Sequence, residues 1–414
     1  MGKKIYIGKD NLARRCPRAY IGVDGVARKI KRAYIGVDGV ARLFFTSSLI
    51  DRFLGNVAYS NDAGDTWTAR NVTQLSKVGS LALGDNALFT SPSTRRIIQT
   101  TEFTYQKSTD HGATWTEQTI GEATRQELTI AVVGRTGVST SIWASSLYSS
   151  HIASNGNDVF ATYVMTGYVG QTTDTIVCAS VEFYSHDNGA TWTRLPITST
   201  YMLYSAEWQL GDSHKYYSWV VGVNGKFYRY NRLRSPLGFL SVSADGENWT
   251  SIGTSTNRFR LSGYLVGKNE ILQYSQEGSA WEKATINLAD DTATFLRRSG
   301  QSPFVSNGEN LLGFHAFDRW WVMGSTATST DGVAISTSTD GLTWTNTIVC
   351  PDIVDGQTYR RSNLWYANDK IHTMIQHGSV GYYSTFNGVT WTHKRVDMPN
   401  GVYMAETELG TLYD

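Results

Sequence analysis

Carboxylates are the first groups in this 414-residue sequence whose spacing suggests chemistry. Asp62, Asp110 and Asp187 each occupy the same local string, Ser-x-Asp-x-Gly-x-Thr-Trp, which ends at Trp67, Trp115 and Trp192. Asp245 and Asp340 lie in a form one residue shorter, ending at Trp249 and Trp344. Two degenerate copies carry Glu277 before Trp281 and Asn387 before Trp391. Repeated carboxylates of this kind could serve as ligand groups for a bound molecule. Their neighbours favour another role. Asp or Asn accepts backbone N–H bonds inside its own turn, Gly takes the positive φ that closes the turn, and Ser or Thr adds a second local acceptor. The recurring Trp then opens the outgoing strand, where it buries on the order of 200 Å² against a neighbouring sheet.

A second set of residues has the composition of a sugar site, where aromatic faces stack on the ring and a few charged groups fix its orientation. Trp143, Trp208 near Tyr204, Trp320, and the run Tyr359-Arg360-Arg361 are its members. Trp320 and Trp321 are adjacent in an expected strand, so they belong to opposite faces and at most one meets a ligand from a given side. Packing between sheets is the competing role for each of these aromatics. Metal and cofactor chemistry has no such support. The eight His are dispersed, and Cys16, Cys178 and Cys350 show neither metal nor disulfide spacing. No Gly-x-Ser-x-Gly elbow and no phosphate loop occurs. The expectation is a protein without catalytic residues, metal or cofactor.

The elements that must position these groups are short strands. The chain has 39 Gly, 13 Trp and 23 Tyr with 18% charged residues, the usage of many strands joined by tight turns, so the fold class is all-β. The seven Trp of the repeated strings are 48, 77, 57, 32, 63 and 47 residues apart. Such intervals suit one four-stranded antiparallel sheet per repeat and predict a seven-bladed β-propeller over residues 47–414. Runs such as 311–314, 320–323 and 333–335 supply three strands before a turn, and the Trp opens the fourth. The 77-residue interval implies an insertion around 136–154. Too few residues precede Trp67 to complete its sheet, so the C-terminal segments 401–405 and 411–413 are expected to close it, which removes open sheet edges. No apolar run approaches the length of a membrane span, and the expectation is a soluble chain.

Residues 1–46 form a separate module. Tyr-Ile-Gly-Val-Asp-Gly-Val-Ala-Arg stands at 20–28 and again at 34–42, with a looser copy at 6–14, a period of 14. Asp-Gly between short β-branched runs is a two-residue hairpin signal, so each copy is a small hairpin. The module holds eleven Lys and Arg against three Asp, a net +8; with the whole chain at +1, the remainder carries −7. Three hairpins bury too little apolar surface to be stable alone, which predicts folding against another chain, for instance in a homotrimer. The net charge raises nucleic-acid binding, but no recognition helix or stacking platform accompanies it, so no nucleic-acid partner is expected.

The Asp strings resemble the Asp-box, or BNR-repeat, propellers, a group that includes sialidases, sortilin-type receptors and many bacterial and phage proteins. The resemblance covers about 360 residues and implies structural Asp residues on the rim, away from any binding site. A sialidase would add an arginine cluster, a Tyr–Glu nucleophile pair, an Asp acid/base and a Phe/Tyr-Arg-Ile-Pro motif before its first box. Nothing of that form precedes Ser60; Arg194-Leu-Pro-Ile197 and Arg234-Ser-Pro236 fall late and in another order. The N-terminal tandem resembles repeats near one end of tail and virion-associated proteins of phages that infect Gram-positive bacteria. It implies a tail component made in the host cytoplasm and carried in the virion. Residues 1–46 would dock on other tail proteins, and the propeller would meet a host-surface glycan or protein. A purely architectural tail subunit and a sialidase-like hydrolase are the alternative readings.

Overall fold

The computed structural model describes strands at 5–9, 12–16, 20–23, 26–29, 32–37, 40–46, 52–54, 58–60 and 68–69. It then describes 80–83, 87–97, 100–109, 114–124, 126–128, 146–168, 175–197, 200–204, 219–231, 239–254, 260–277, 280–299, 311–323, 334–348, 360–361, 364–367, 370–377, 380–397 and 408–409. Almost everything in these stretches is strand.

The N-terminal copies are three two-stranded antiparallel hairpins: Ile5–Lys9 with Leu12–Cys16, Tyr20–Val23 with Val26–Lys29, and Arg32–Val37 with Val40–Thr46. In the second and third, Val23 faces Val26 and Val37 faces Val40, which leaves two residues, Asp-Gly, for each turn.

Beyond residue 80 the strands fall into successive four-stranded antiparallel meanders. Sheet 1 comprises Ser80–Leu83, Leu88–Ile97, Thr100–Ser108 and Thr116–Thr124. Sheet 2 comprises Ser146–Asn155, Asp158–Tyr168, Thr175–Ser185 and Thr193–Arg194, with Thr200–Tyr204 also on its third strand. Sheet 3 is Trp219–Val223, Lys226–Asn231, Phe239–Ser243 and Thr250–Thr254. Sheet 4 is Arg260–Val266, Glu270–Glu277, Ala280–Asn287 and Thr292–Ser299. Sheet 5 is Leu311–Ala316, Arg319–Met323, Ala334–Ser338 and Thr345–Ile348. Sheet 6 has Lys370–His377, Val380–Phe386 and Trp391–Asp397, with Arg360–Arg361 and Trp365–Ala367 sharing its inner edge. First strands of sheets 1 and 2 and of sheets 2 and 3 neighbour one another, and those of sheets 4 and 5 pair in parallel, Gly263 to Val266 against Leu311 to Phe314. Sheets arranged this way, each packing its face on the next, make a β-propeller.

The core is divided accordingly, one apolar cluster per junction. Phe103 and Tyr105 of sheet 1 meet Tyr163 and Phe183 of sheet 2. Phe160 of sheet 2 meets Phe227 of sheet 3, and Trp219 of sheet 3 lies in one cluster with Ile271 and Ile286 of sheet 4. Leu272 and Tyr274 of sheet 4 meet Trp320 and Val322 of sheet 5, whose other face sends Phe314 and Trp321 against Ile371 of sheet 6.

Two expectations need correction. The segment around 136–154 is not an insertion throughout, because Ser146–Asn155 is the first strand of sheet 2. The C-terminal segments 401–405 and 411–413, expected to complete the sheet that holds Trp67, lie outside the described residues; between them Glu408–Leu409 pairs in parallel with Ser80–Leu83 of sheet 1. That expected sheet is represented by three short strands, Arg52–Leu54, Ala58–Ser60 and Thr68–Ala69, beside six full sheets. The Glu277 copy is also displaced. It lies between the second and third strands of sheet 4, whereas the Asp strings of sheets 2, 3 and 5 and the Asn387 string of sheet 6 lie between third and fourth strands. In sheet 4 the equivalent turn is 287–292, where Asn287 Oδ1 accepts Ala289 N–H at 3.0 Å and Asp290 Oδ1 accepts Thr292 N–H at 3.1 Å.

Candidate functional site

The described carboxylates of the repeated strings are spent inside their turns. Asp187 Oδ1 accepts the Ala190 and Thr191 N–H groups at 2.9 and 2.8 Å and the Ser185 hydroxyl at 2.8 Å, while Oδ2 accepts the Thr191 hydroxyl at 2.6 Å. Asp245 takes Glu247 and Asn248 N–H, both at 2.9 Å, and Asp340 takes Leu342 and Thr343 N–H at 2.7 and 2.8 Å. Asn387 does the same for Val389 and Thr390 with its amide oxygen. The serines complete each turn, accepting the N–H of Gly189, Gly246 and Gly341 at 2.8–2.9 Å. Those glycines have φ of 73°, 81° and 65°, the left-handed region that a side chain would strain.

These bonds set the charge state. At Asp187 and Asp245 burial opposes ionisation but is outweighed by hydrogen bonds from Thr191 and Asn248, and both carboxyls are held down to about 2. At Asp340 the Thr343 and Leu342 N–H bonds are the largest influences, again to about 2. An acid this strong is a poor proton donor near neutrality. Its stabilising contribution is present above the unfolded carboxyl range, near pH 4, and is lost as pH falls through about 2. The triple variant Asp187→Asn, Asp245→Asn, Asp340→Asn keeps the N–H bonds, as Asn387 does, and loses only the charge, so it should melt below the parent at pH 7 by about 1 kcal/mol or less per site after solvent screening. Near pH 2 the two should melt together. Calorimetric scans across that range check the convergence.

Two of these turns are hydrogen-bonded to the preceding sheet. Tyr105 donates to Gly189 O at 3.0 Å and Lys107 to Asn188 O at 2.8 Å. Tyr274 donates to Gly341 O at 2.6 Å and Lys283 to Asp340 O at 3.1 Å. Sheet 4 substitutes a carboxylate for the carbonyl: Asp291 accepts from the Tyr228 hydroxyl at 2.7 Å and from Lys226 of sheet 3. Burial raises Tyr105 to about 12 and also raises Tyr274, so both remain hydroxyl donors. The Trp that follows each turn packs on the same sheet. Trp192 meets Tyr105 edge-on at 5.4 Å, Trp249 meets Phe160 at 5.0 Å, Trp344 meets Tyr274 at 6.3 Å and Trp391 meets Trp321 at 6.4 Å. Trp281 is buried in the same junction as Trp344, although it reaches it from a different strand. Trp115 is 9% exposed.

A buried ion pair went unread in the sequence. Arg229 of sheet 3 and Glu182 of sheet 2, each 4% exposed, meet at 2.8 Å, and the guanidinium lies 3.8 Å from the centre of the Trp249 ring. The pair ties two sheets together and is closed to substrate. Both residues stand in strands with no local motif, so nothing in the chain order marks them as partners.

Among the expected sugar-site residues, Trp320 is corrected. It is 2% exposed, packed among Leu265, Tyr274 and Val322, with His315 edge-on at 5.0 Å. Trp321 faces the opposite junction, so the two rings do occupy opposite faces, but both are core. Arg360 and Arg361 pair through their backbones with Gln376 and Ile375 at the edge of sheet 6. Trp143, Trp208 and Tyr359 lie outside the described residues, as do Asp62, Trp67 and Asp110. Among the described residues, no three His, Cys, Asp or Glu side chains converge as metal ligands, and no helix is long and apolar enough to cross a membrane.

No protein-family model and no curated protein sequence matches the chain. Among solved structures it is similar to a prolyl endopeptidase, with 9% identity, a TM-score of 0.39, and coverage of 78% of this chain and 43% of that one. It is similar to the six-bladed fucose-recognising lectin of Aleuria aurantia, at 13% identity and a TM-score of 0.33, covering 79% of this chain and 96% of the lectin. The Trypanosoma rangeli sialidase, solved with sialic acid, matches at 12% identity and a TM-score of 0.36, over 83% of this chain and 57% of the enzyme. The chain thus spans less than half of the endopeptidase and a little over half of the sialidase. At these identities no residue role passes from one protein to the other.

Proposed function

We propose that the chain is a non-enzymatic phage tail protein that docks through residues 1–46 and presents its propeller to a host-surface glycan. The observation that carries this reading is the tandem hairpin module, whose repeated Tyr-Ile-Gly-Val-Asp-Gly-Val-Ala-Arg strings resemble those of phage tail proteins. Binding is favoured over hydrolysis because Asp187, Asp245 and Asp340 are engaged in turn formation and the buried Glu182 is closed off by Arg229. The sugar-site candidates under this reading are Trp143, Trp208, Tyr359, Arg360 and Arg361.

Purified full-length chain should bind host cells and block phage adsorption, and an antibody against the propeller should decorate the tail of intact particles. Replacing Trp143, Trp208 or the Arg360-Arg361 pair with alanine should weaken cell binding about tenfold at one site at least, the loss of one stacking or charged contact. Decorated particles without any effect on adsorption would favour the architectural subunit. Release of fluorophore from a sialoside by the purified chain would overturn the non-enzymatic reading.

A further inference from the structure

The outermost strand of a propeller sheet has a bare edge, and such an edge templates pairing with another strand unless it is short, bulged, charged or covered. Five of the six full sheets are protected in one of these ways. In sheet 1 the outer strand Thr116–Thr124 is bulged where it pairs with Phe103 and Thr104, and Arg194 of sheet 2 donates to the Glu122 carbonyl. The outer edge of sheet 2 is broken into Thr193–Arg194 and Thr200–Tyr204. Sheet 3 has a bulge at Leu240 and Ser241 beside its five-residue outer strand, and the outer strand of sheet 5 is only four residues long. Sheet 6 exposes His393, Lys394 and Arg395 along its edge strand.

Sheet 4 is the exception. Its outer strand, Thr292–Ser299, keeps eight consecutive residues in unbroken register with Ala280–Asn287, and among the described residues no strand takes its other edge. The stretch from Thr292 to Leu296 carries no charge and includes two Thr and a Phe, all strand formers. Charge is confined to the ends. Asp290 and Asp291 precede the strand in the turn 287–292, and Arg297 and Arg298 stand at its far end; Asp290, Arg297 and Arg298 are exposed.

An acidic start, a neutral centre and a basic finish complement the same segment run in the opposite direction. With Thr294 opposite Thr294 of a second copy, Ala293 falls opposite Phe295, Thr292 falls opposite Leu296, and the arginine end of each copy meets the aspartate end of the other. Strands that face their own counterparts in this way are related by a two-fold axis, the commonest symmetry of soluble assemblies. Parallel pairing would instead set Arg beside Arg.

We infer that the outer edge of sheet 4 is a self-association surface, on which two copies of the chain pair segment 290–298 antiparallel about Thr294 and join their fourth sheets into one. The inference is independent of the tail reading of residues 1–46. A strand from a different protein would satisfy the same backbone edge, but it has to supply the reversed charge pattern that this chain already carries.

The test uses the full-length chain. At the same micromolar concentration the parent should sediment at twice the mass of Arg298→Glu or of Asp290→Lys, because each change sets like charges together at both ends of the contact. An equimolar mixture of the two variants should regain the parent's mass, since the mixed pair sets opposite charges together again; that regain also shows both variants to be folded. Association of the parent should weaken about tenfold in 0.5 M salt. Thr294→Cys should give a disulfide-linked dimer on mild oxidation, as residues directly opposite in an antiparallel pair have Cα atoms about 4.5–5.5 Å apart, within disulfide reach. Leu296→Cys should not, because its counterpart stands four residues further along the partner strand, about 13 Å away. The parent, with Cys16, Cys178 and Cys350, sets the background. Equal cross-linking through the two introduced cysteines overturns the inference. A parent with the same mass as both variants, and no cross-linking through either cysteine, overturns it as well and leaves the edge to a strand from another protein.

Discussion

Gly222→Ala should lower stability by more than about 3 kcal/mol, beyond the usual cost of overpacking, because the added methyl has nowhere to go. Gly222 is on the first strand of sheet 3, and a Cβ built there would stand 1.9 Å from the Ser154 carbonyl oxygen and 2.7 Å from its carbon, on the first strand of sheet 2. Both obstacles are backbone, so relief requires the two sheets to separate, and the Phe160–Phe227 junction separates with them. Gly253→Ala is the control. Its Cβ would meet the Phe295 ring at 2.9 Å and the Ala293 Cβ at 3.1 Å, side-chain atoms and not backbone, and a smaller cost, about 1–2 kcal/mol, is expected. Urea midpoints of the two variants decide the matter. Equal, small shifts would mean that sheets 2 and 3 do not approach as closely as Gly222 and Ser154 indicate.

Arg229→Met is the second large effect, expected to cost about 3–5 kcal/mol by leaving Glu182 charged and enclosed. The cation's contact with the Trp249 ring is lost as well. Glu182 also accepts the Ser180 hydroxyl at 3.3 Å, but a carboxylate at 4% exposure that loses its cation remains costly to enclose. The double variant Glu182→Leu, Arg229→Met should recover most of the loss, since two apolar side chains of similar size satisfy the junction without a charge. A double-mutant cycle on thermal unfolding isolates the coupling. If the double variant is no more stable than Arg229→Met, the pair contributes through packing, and the charge argument fails. Because total stabilities of domains lie near 5–15 kcal/mol, either single change removes a large share of the cooperative fold.

The residues differ in how legible they were. Asp187, Asp245 and Asp340 announce their role in the chain itself: acceptor, glycine and serine stand within four residues, and the bonds they form are local. The hairpins of residues 1–46 are legible for the same reason, as Asp-Gly fixes a two-residue turn and the turn fixes the register. The Glu277 copy shows where this logic stops. It has the right residue types, yet its strand count within sheet 4 is wrong by one, and the turn that docks on sheet 3 is 287–292, which carries neither Gly nor Trp. A short motif specifies a bend; which hairpin of a meander it occupies depends on the strands on either side.

Trp320 marks the boundary from the other direction. An aromatic beside a second aromatic reads equally well as a stacking platform or as core, and only the arrival of Leu265 and Tyr274 from the preceding sheet encloses it. Arg229 and Glu182 are 47 residues apart with nothing between them to signal a partnership. The sequence by itself determined what is set by bonds between near neighbours: strand-rich class, turn chemistry and the hairpin register of the first 46 residues. Tertiary structure alone decided which faces meet between sheets, because burial and ion pairing there join residues whose separation along the chain carries no information about their distance in space.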